Sequence, residues 1–232
     1  MSLPKLDVPI YTMNLLSDDR KLRYRPFLVK EEKILFMAME GESSDEMTLA
    51  MKQIVNNCVQ DKIDVDQLPL FDLEYILLHI RSKSVSDKST VSIPCGECEE
   101  QIPIQIDLTQ VKPSQKPEGK KSIMLSDTVG ITLNYPKIEM AAMETENELD
   151  AMWAIVESCT EHIFDEENIY ELDNYNREQK EEFFDTMTQE QFGLIREFFD
   201  TIPRLQYETD YKCPHCKHED TLTIEGLGNF FG

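Results

Sequence analysis

Two CxxC pairs, Cys95 with Cys98 and Cys213 with Cys216, are the residues whose type and spacing point most directly to chemistry. Four thiolates satisfy a tetrahedral zinc ion at about 2.3 Å, and each CxxC turn supplies two of them. The sequence therefore predicts one structural Zn²⁺ site divided between two distant segments. An ion bound by four cysteines has no open position for water, so such a site organises a fold and does not hydrolyse a substrate.

The separation of the two pairs is unusual for a zinc ribbon. Between them lie 114 residues, whereas the halves of a compact ribbon are usually about 15–20 residues apart. The flanking sequences favour the site nonetheless, because residues 92–94 and 101–106 around the first pair alternate like strands, as do residues 205–207 and 221–224 around the second. Each half is predicted to be a hairpin with a metal-binding turn at its tip.

Other uses of these cysteines are weaker alternatives. A redox CxxC normally opens a helix, and no helical pattern follows either pair; unligated thiols remain the main competitor. His215 and His218 would become ligands only if one of the four cysteines were missing from the site. Cys58 and Cys159 lie on the apolar faces of predicted helices, where a free cysteine behaves as a small core residue.

The charge of the chain restricts its partners. With 23 basic and 45 acidic residues the net charge is −22, which repels phosphate backbones and disfavours nucleic-acid binding. A basic partner protein would be attracted, and solubility is the simpler explanation of the same charge. The six cysteines are too few for a secreted disulfide scaffold. No apolar run approaches the roughly 20 residues of a membrane span, and no export signal precedes the first elements, so we expect a soluble cytoplasmic protein.

The sequence contains no catalytic signature. A phosphate-binding GxxxxGK[ST] loop, a GxSxG elbow, an HExxH helix and a glycine-rich dinucleotide turn are all absent from it. Close acidic pairs are expected by chance in so acidic a chain and indicate no acid–base chemistry. We expect a protein that is not an enzyme.

Periodicity predicts an α+β fold that is mostly helical, with a zinc-ribbon-like β element split by a helical insertion and with an additional β-hairpin. Helices are predicted over 33–39 with strand as a competitor, from Ser43 or Ser44 to about residue 59, over 69–82, 148–163 and 177–187, and from a Thr188 cap with Gln191 to Pro203. The predicted regions are an N-terminal arm (1–29), a helical region (30–83), the first knuckle hairpin (84–110), a linker (111–121), a β-hairpin (122–136), the helical insertion (137–204), and the second knuckle hairpin with an aromatic tail (205–232).

The tail ends in two phenylalanines flanked by glycines. Phe230 and Phe231 either fold back onto the domain or insert into a partner protein. Both alternatives are open from the sequence.

Three segments resemble a known family. Residues 24–40, residues 125–131 with the following Tyr135-Pro136, and residues 223–231 are similar to the baseplate hub-assembly protein family of T-even-type contractile-tail bacteriophages. The resemblance implies an assembly chaperone or hub component that binds other baseplate proteins, in the host bacterial cytoplasm or in the virion tail baseplate. It implies no catalytic residues. The competing functions are a nucleic-acid-binding zinc-ribbon regulator, which the charge disfavours, and an acidic DNA mimic, which the apolar helix stripes and the cysteine pairs disfavour.

Overall fold

Helices and strands alternate along the chain in the computed structural model, which describes residues 6–41, 43–142 and 148–230. The chain forms two units: Met1–Lys116 together with Pro203–Gly232 make the first, and Pro117–Ile202 make the second. The second unit is thus an insertion into the sequence of the first.

Within the described residues the helices are α1 (Val29–Glu40), α2 (Ser44–Cys58), α3 (Leu70–Ser84), α4 (Glu148–Cys159), α5 (Arg177–Asp185) and α6 (Gln189–Asp200). The strands are β1 (Tyr11–Asn14), β2 (Lys21–Tyr24), β3 (Lys88–Pro94), β4 (Gln101–Asp107), β5 (Lys112–Pro113), β6 (Lys121–Met124), β7 (Gly130–Leu133), β8 (Thr160–Phe164), β9 (Ile169–Tyr170), β10 (Leu205–Lys212) and β11 (Glu219–Glu225).

The helices of the first unit follow from local signals. Ser43 caps α2 by accepting the backbone N–H of Glu46 at 3.5 Å. The apolar stripe of α2 is buried, as is that of α3, so both helices lie where their spacing predicts. The segment over 33–39 belongs to α1, and the competing strand is not formed.

The N-terminal arm has more structure than its sequence indicates. Strands β1 and β2 pair as an antiparallel hairpin, and its apolar side chains are buried. The Asp72 carboxylate, on α3, accepts the backbone N–H groups of Leu16 at 2.7 Å and Ser17 at 3.3 Å. Because this partner lies more than fifty residues along the chain, no local pattern could predict the contact.

The linker over 111–121 also differs from its prediction. Its residues Lys112 and Pro113 form the edge strand β5, which pairs with β10 in a sheet of order β11-β10-β5. Proline is tolerated at such an edge because one side of the strand needs no N–H donor. The linker therefore begins as part of the sheet that carries the second cysteine pair.

The second unit combines a sheet with helices, and residues 137–204, predicted to be a helical insertion, contain strands β8 and β9 beside their helices. Strands β6, β7, β8 and β9 pair antiparallel in that order, and α4, α5 and α6 belong to the same unit. The helix predicted to reach Ile163 ends at Cys159, after which β8 pairs with β7 and sets Ile163 opposite Ile131. Burial of β-branched residues on this sheet outweighs the helical spacing. The fold is accordingly mixed α/β, with strands in both units.

One core fills the second unit. It contains residues from the sheet and from all three helices, with Ile131, Leu133, Ile195 and Phe198 almost fully buried. Across the described part of the chain, every helix is too short or too polar to span a lipid bilayer.

Candidate metal centre

Two antiparallel hairpins carry the cysteine pairs at their tips. In the first, the β3–β4 ladder closes at Pro94 opposite Gln101, and in the second the β10–β11 ladder closes at Lys212 opposite Glu219. Residues 95–100 and residues 213–218 therefore form the two turns. This is the pair of hairpins that the flanking sequences predict.

The two turns have the same backbone conformation. The N–H of Cys95 donates to the carbonyl of Glu100 at 2.9 Å, and the N–H of Cys213 donates to that of His218 at 2.8 Å. The residue directly after each pair is left-handed, with φ of 59° at Glu99 and 67° at Lys217. A positive φ is uncommon outside glycine. The sequence did not predict this left-handed conformation, although it occurs directly after the CxxC pair in both turns.

The four sulfur atoms lie together. Their Sγ atoms are all within 4.8 Å of one another, and the Cys95–Cys216 and Cys98–Cys213 Sγ distances are both 3.7 Å. A tetrahedral zinc with bonds of about 2.3 Å requires sulfur–sulfur edges of about 3.8 Å. A disulfide would bring two sulfurs to about 2.05 Å, and all four cysteines are free. The donor set and its spacing fit one four-coordinate ion.

Backbone amides are directed at the sulfurs. Hydrogen bonds from the amides of Cys98 and Glu97 lower the pKa of Cys95. Burial opposes ionisation of Cys213, yet the amides of Cys216 and His215 lower its pKa to about 6. The amide of Glu100 favours ionised Cys98, but burial and the neighbouring thiols raise the pKa of Cys98 to about 12. Two sulfurs thus ionise more readily than the others, as expected where four acidic groups share a small volume.

The site is anchored on one side and open on the other. Cys95 and Cys213 are buried, Cys98 is half-buried, and Cys216 is exposed. The anchored side packs on the apolar side chains of Ile93, Ile102, Ile104 and Tyr211. One small apolar cluster with residues of both hairpins therefore holds the two turns.

The remaining candidate ligands lie outside the cluster. His218 faces Asp220, with 3.8 Å between Nε2 and the carboxylate, and His215 is exposed. Cys58 and Cys159 are buried core residues, as their helix positions predict, and burial raises their pKa values to about 11 and about 12.

The aromatic tail takes the folded-back alternative at Phe230. Its side chain is fully buried, and the last turn, Leu227–Phe230, contacts β3 and β11. A buried ring is not available to a partner. Phe231 lies outside the described residues.

A pocket of about 400 Å³ lies in the second unit, lined partly by Tyr170, Phe183 and Phe184. Its polar groups are engaged in structural contacts: the Tyr170 hydroxyl donates to Asp165, and Lys180 binds Glu157 at 2.7 Å. The residues known to line it include no serine, cysteine or histidine.

Comparison with known proteins gives one result. A family model described as "T4 bacteriophage base plate protein" matches residues 8–232, which include both cysteine pairs and the whole second unit. No curated protein and no solved structure matched the chain.

Proposed function

Because the chain belongs to the T4 bacteriophage base plate protein family, we propose that it acts in assembly of the baseplate hub by binding other baseplate proteins, without catalysing a reaction. The observation that carries the proposal is the family match over residues 8–232. The resemblance of residues 24–40 and 223–231 to hub-assembly proteins supports the specific role.

The proposed role has two forms, an assembly chaperone that leaves the finished particle and a hub component that stays in it. Both require a soluble chain with surfaces for other proteins, and a net charge of −22 limits unspecific association. We place its action in the host bacterial cytoplasm, where tails are assembled.

We further propose that Cys95, Cys98, Cys213 and Cys216 hold one structural Zn²⁺. The sulfur spacing and the amides directed at the sulfurs support this assignment. The ion would link the two hairpin turns, which the inserted unit separates in the sequence, and neutralise their thiolates. It would stabilise the surface that the first unit presents to partners.

The function is tested with a phage that carries a stop codon in this gene. We expect host cells to accumulate incomplete baseplates in electron micrographs, and a plasmid copy of the gene to restore complete tails. Complete tails and a normal titre without the plasmid would refute the role in assembly. Mass spectrometry of purified virions then separates the chaperone from the hub component.

The zinc assignment is tested by elemental analysis of protein purified without added metal, which should contain about one zinc per chain. Cys213→Ser should lose the metal, whereas Cys159→Ala, which alters a buried cysteine of the second unit, should retain it. Equal metal content in the two variants would refute the site.

A further inference from the structure

The C-terminal turn, Leu227–Phe230, lies against both cysteine hairpins. It follows β11 of the second hairpin and contacts both β11 and β3, which belongs to the first hairpin. Phe230 is fully buried on this turn. Because a fully buried ring must be covered by neighbouring elements, Phe230 supplies apolar packing where the turn meets the two hairpins.

Strand pairing does not join the two hairpins to each other. Among the described residues, β3 and β4 form one sheet, whereas β11, β10 and β5 form another. The segment between the two cysteine pairs is 114 residues long and contains the whole second unit. Bringing the ends of so long a segment together costs chain entropy. Side-chain packing must therefore offset this cost and keep the hairpins side by side.

Side-chain packing is present at both ends of the second hairpin. Near the sulfurs, the small cluster with Ile102 and Tyr211 contains residues of both hairpins. The C-terminal turn lies at the opposite end of β11, because Glu219 adjoins the cysteine turn and Glu225 is the last residue of the strand. Seven strand residues span about 23 Å. Contacts at both ends restrict rotation of one hairpin against the other, and with it the positions of the sulfurs.

Backbone contacts fix the C-terminal turn in place. Gly226 has a φ of 80°, and its N–H donates to the carbonyl of Leu205, the first residue of β10, at 3.0 Å. The Nδ2 of Asn229 donates to the carbonyl of Glu225 at 2.8 Å. Glycine adopts a positive φ without steric cost. The chain therefore turns sharply after β11 and places Phe230 beside β3.

The affinity of the four-cysteine site depends on how well its ligands are held before the ion binds. The four Sγ atoms already lie within 4.8 Å of one another. A site that is arranged in advance loses little freedom on binding. If the arranged state is only partly populated, the apparent affinity falls in proportion to its population. Packing that keeps the hairpins together therefore strengthens metal binding.

Resting on the proposed Zn²⁺ site, we propose that the C-terminal turn is a positioning element of this site: burial of Phe230 holds the two cysteine hairpins together and thereby sets the affinity of their four sulfurs for Zn²⁺.

The first test measures the Zn²⁺ affinity of the full chain by competition with a chromogenic chelator. Phe230→Ala should bind Zn²⁺ about tenfold or more weakly, because loss of the buried ring lets the hairpins separate. Phe230→Leu keeps most of the apolar contact and should stay within about threefold of the wild type. The control is Ile54→Ala, which alters a buried residue of α2, packed on α1 and α3. It should lower stability but keep the wild-type affinity.

The second test acts on the backbone and removes no core side chain. Gly226 and Gly119 have φ values of 80° and 86°, and a methyl group at either position would meet no atom within 4 Å. Gly226→Ala should weaken Zn²⁺ binding by about threefold, because it strains the turn that carries Phe230. Gly119→Ala introduces a similar strain in the second unit and should bind like the wild type. This pair decides the proposal if circular dichroism shows that Phe230→Ala is unfolded.

The contrary results are distinguishable. If the wild type binds no Zn²⁺, the proposed metal site fails, and the positioning role fails with it. Wild-type affinity in folded Phe230→Ala refutes the positioning role and leaves the metal site standing, as does equal affinity of the two glycine variants. If Ile54→Ala loses as much affinity as Phe230→Ala, the effect is one of general stability, and the positioning role is refuted.

Discussion

Glu31 is a charged residue in a fully buried position. Its carboxylate binds Arg25, Lys30 and the N–H of Leu28. The Glu31 side chain therefore caps the first turn of α1 and also attaches this turn to Arg25. Burial alone would raise the pKa of Glu31, but the hydrogen bonds from Arg25 and Leu28 lower it below its ordinary value of 4.5. The pair helps to hold α1 on the first unit.

Replacing Glu31 by glutamine should destabilise the first unit by about 3 kcal/mol at pH 7, because Arg25 loses its counter-charge in a buried position. Urea unfolding followed by circular dichroism measures the change. Glu40→Gln is the matched control, since Glu40 is exposed at the end of the same helix, and its effect should stay within about 0.5 kcal/mol.

The same pair predicts a pH dependence. A carboxyl whose pKa is lowered by folding stabilises the folded state above its unfolded pKa, and this contribution is lost as the pH falls through the folded pKa. The difference in unfolding free energy between wild type and Glu31→Gln should therefore be full at pH 7 and decrease below pH 4.5, the ordinary value for glutamate. A difference that is constant between pH 7 and pH 3 would contradict the ionised pair.

At the scale of elements, the start of α6 shows how a local signal acquires a tertiary role. Thr188 and Gln191 form the capping box that the sequence predicts. Gln191 also donates through Nε2 to the carbonyl of Leu125 at 2.7 Å, which joins α6 to the segment after β6. The residue therefore fixes both the beginning of the helix and its place on the sheet.

Gln191→Ala should lower the stability of the second unit by about 1.5 kcal/mol, because it removes a cap contact and leaves the Leu125 carbonyl without this donor. Gln189→Ala is the control: Gln189 is exposed in the same turn, and the gain in helix propensity is equal in both variants. Equal stability of the two variants, measured by thermal unfolding, would show that the Gln191 contacts contribute nothing.

At the scale of the whole molecule, the four-cysteine cluster and the aromatic core around Trp153 lie in different units. The four cysteines belong to the first unit, whereas Trp153, the one tryptophan of the chain, packs on Phe184 and Phe192 in the second. Each unit has a core of its own. The fluorescence of Trp153 therefore reports on the second unit, and far-ultraviolet circular dichroism reports on both.

With the proposed Zn²⁺ bound by the four cysteines, a chelator should lower the melting temperature of the first unit by about 10 °C or more. The transition seen by Trp153 fluorescence should shift far less, because its unit contains none of the four ligands. Parallel shifts of both signals would show that the units unfold as one, and an unchanged dichroism transition would show that no metal stabilises the first unit.

The sequence by itself determined the features that depend on near neighbours. The cap at Ser43, the capping box of Thr188 and Gln191, the stripes of α2 and α3, and the strands beside both cysteine pairs are all encoded within a few residues, because helix and strand periods are local. The prediction of α4 was too long for the same reason: the spacing of Ile163 is helical, and only the pairing of β8 with β7 makes it a strand.

Only the tertiary structure decided what distant residues do. It brings sulfurs 121 and 115 residues apart to 3.7 Å, binds the N-terminal hairpin to Asp72, and buries Phe230 while leaving Phe36 exposed. Closing such long loops costs chain entropy that the packing of the whole unit must offset. No local pattern in the sequence therefore predicts these contacts. Whether an apolar residue is buried or exposed is decided in the same way, by the surface that the rest of the fold leaves uncovered.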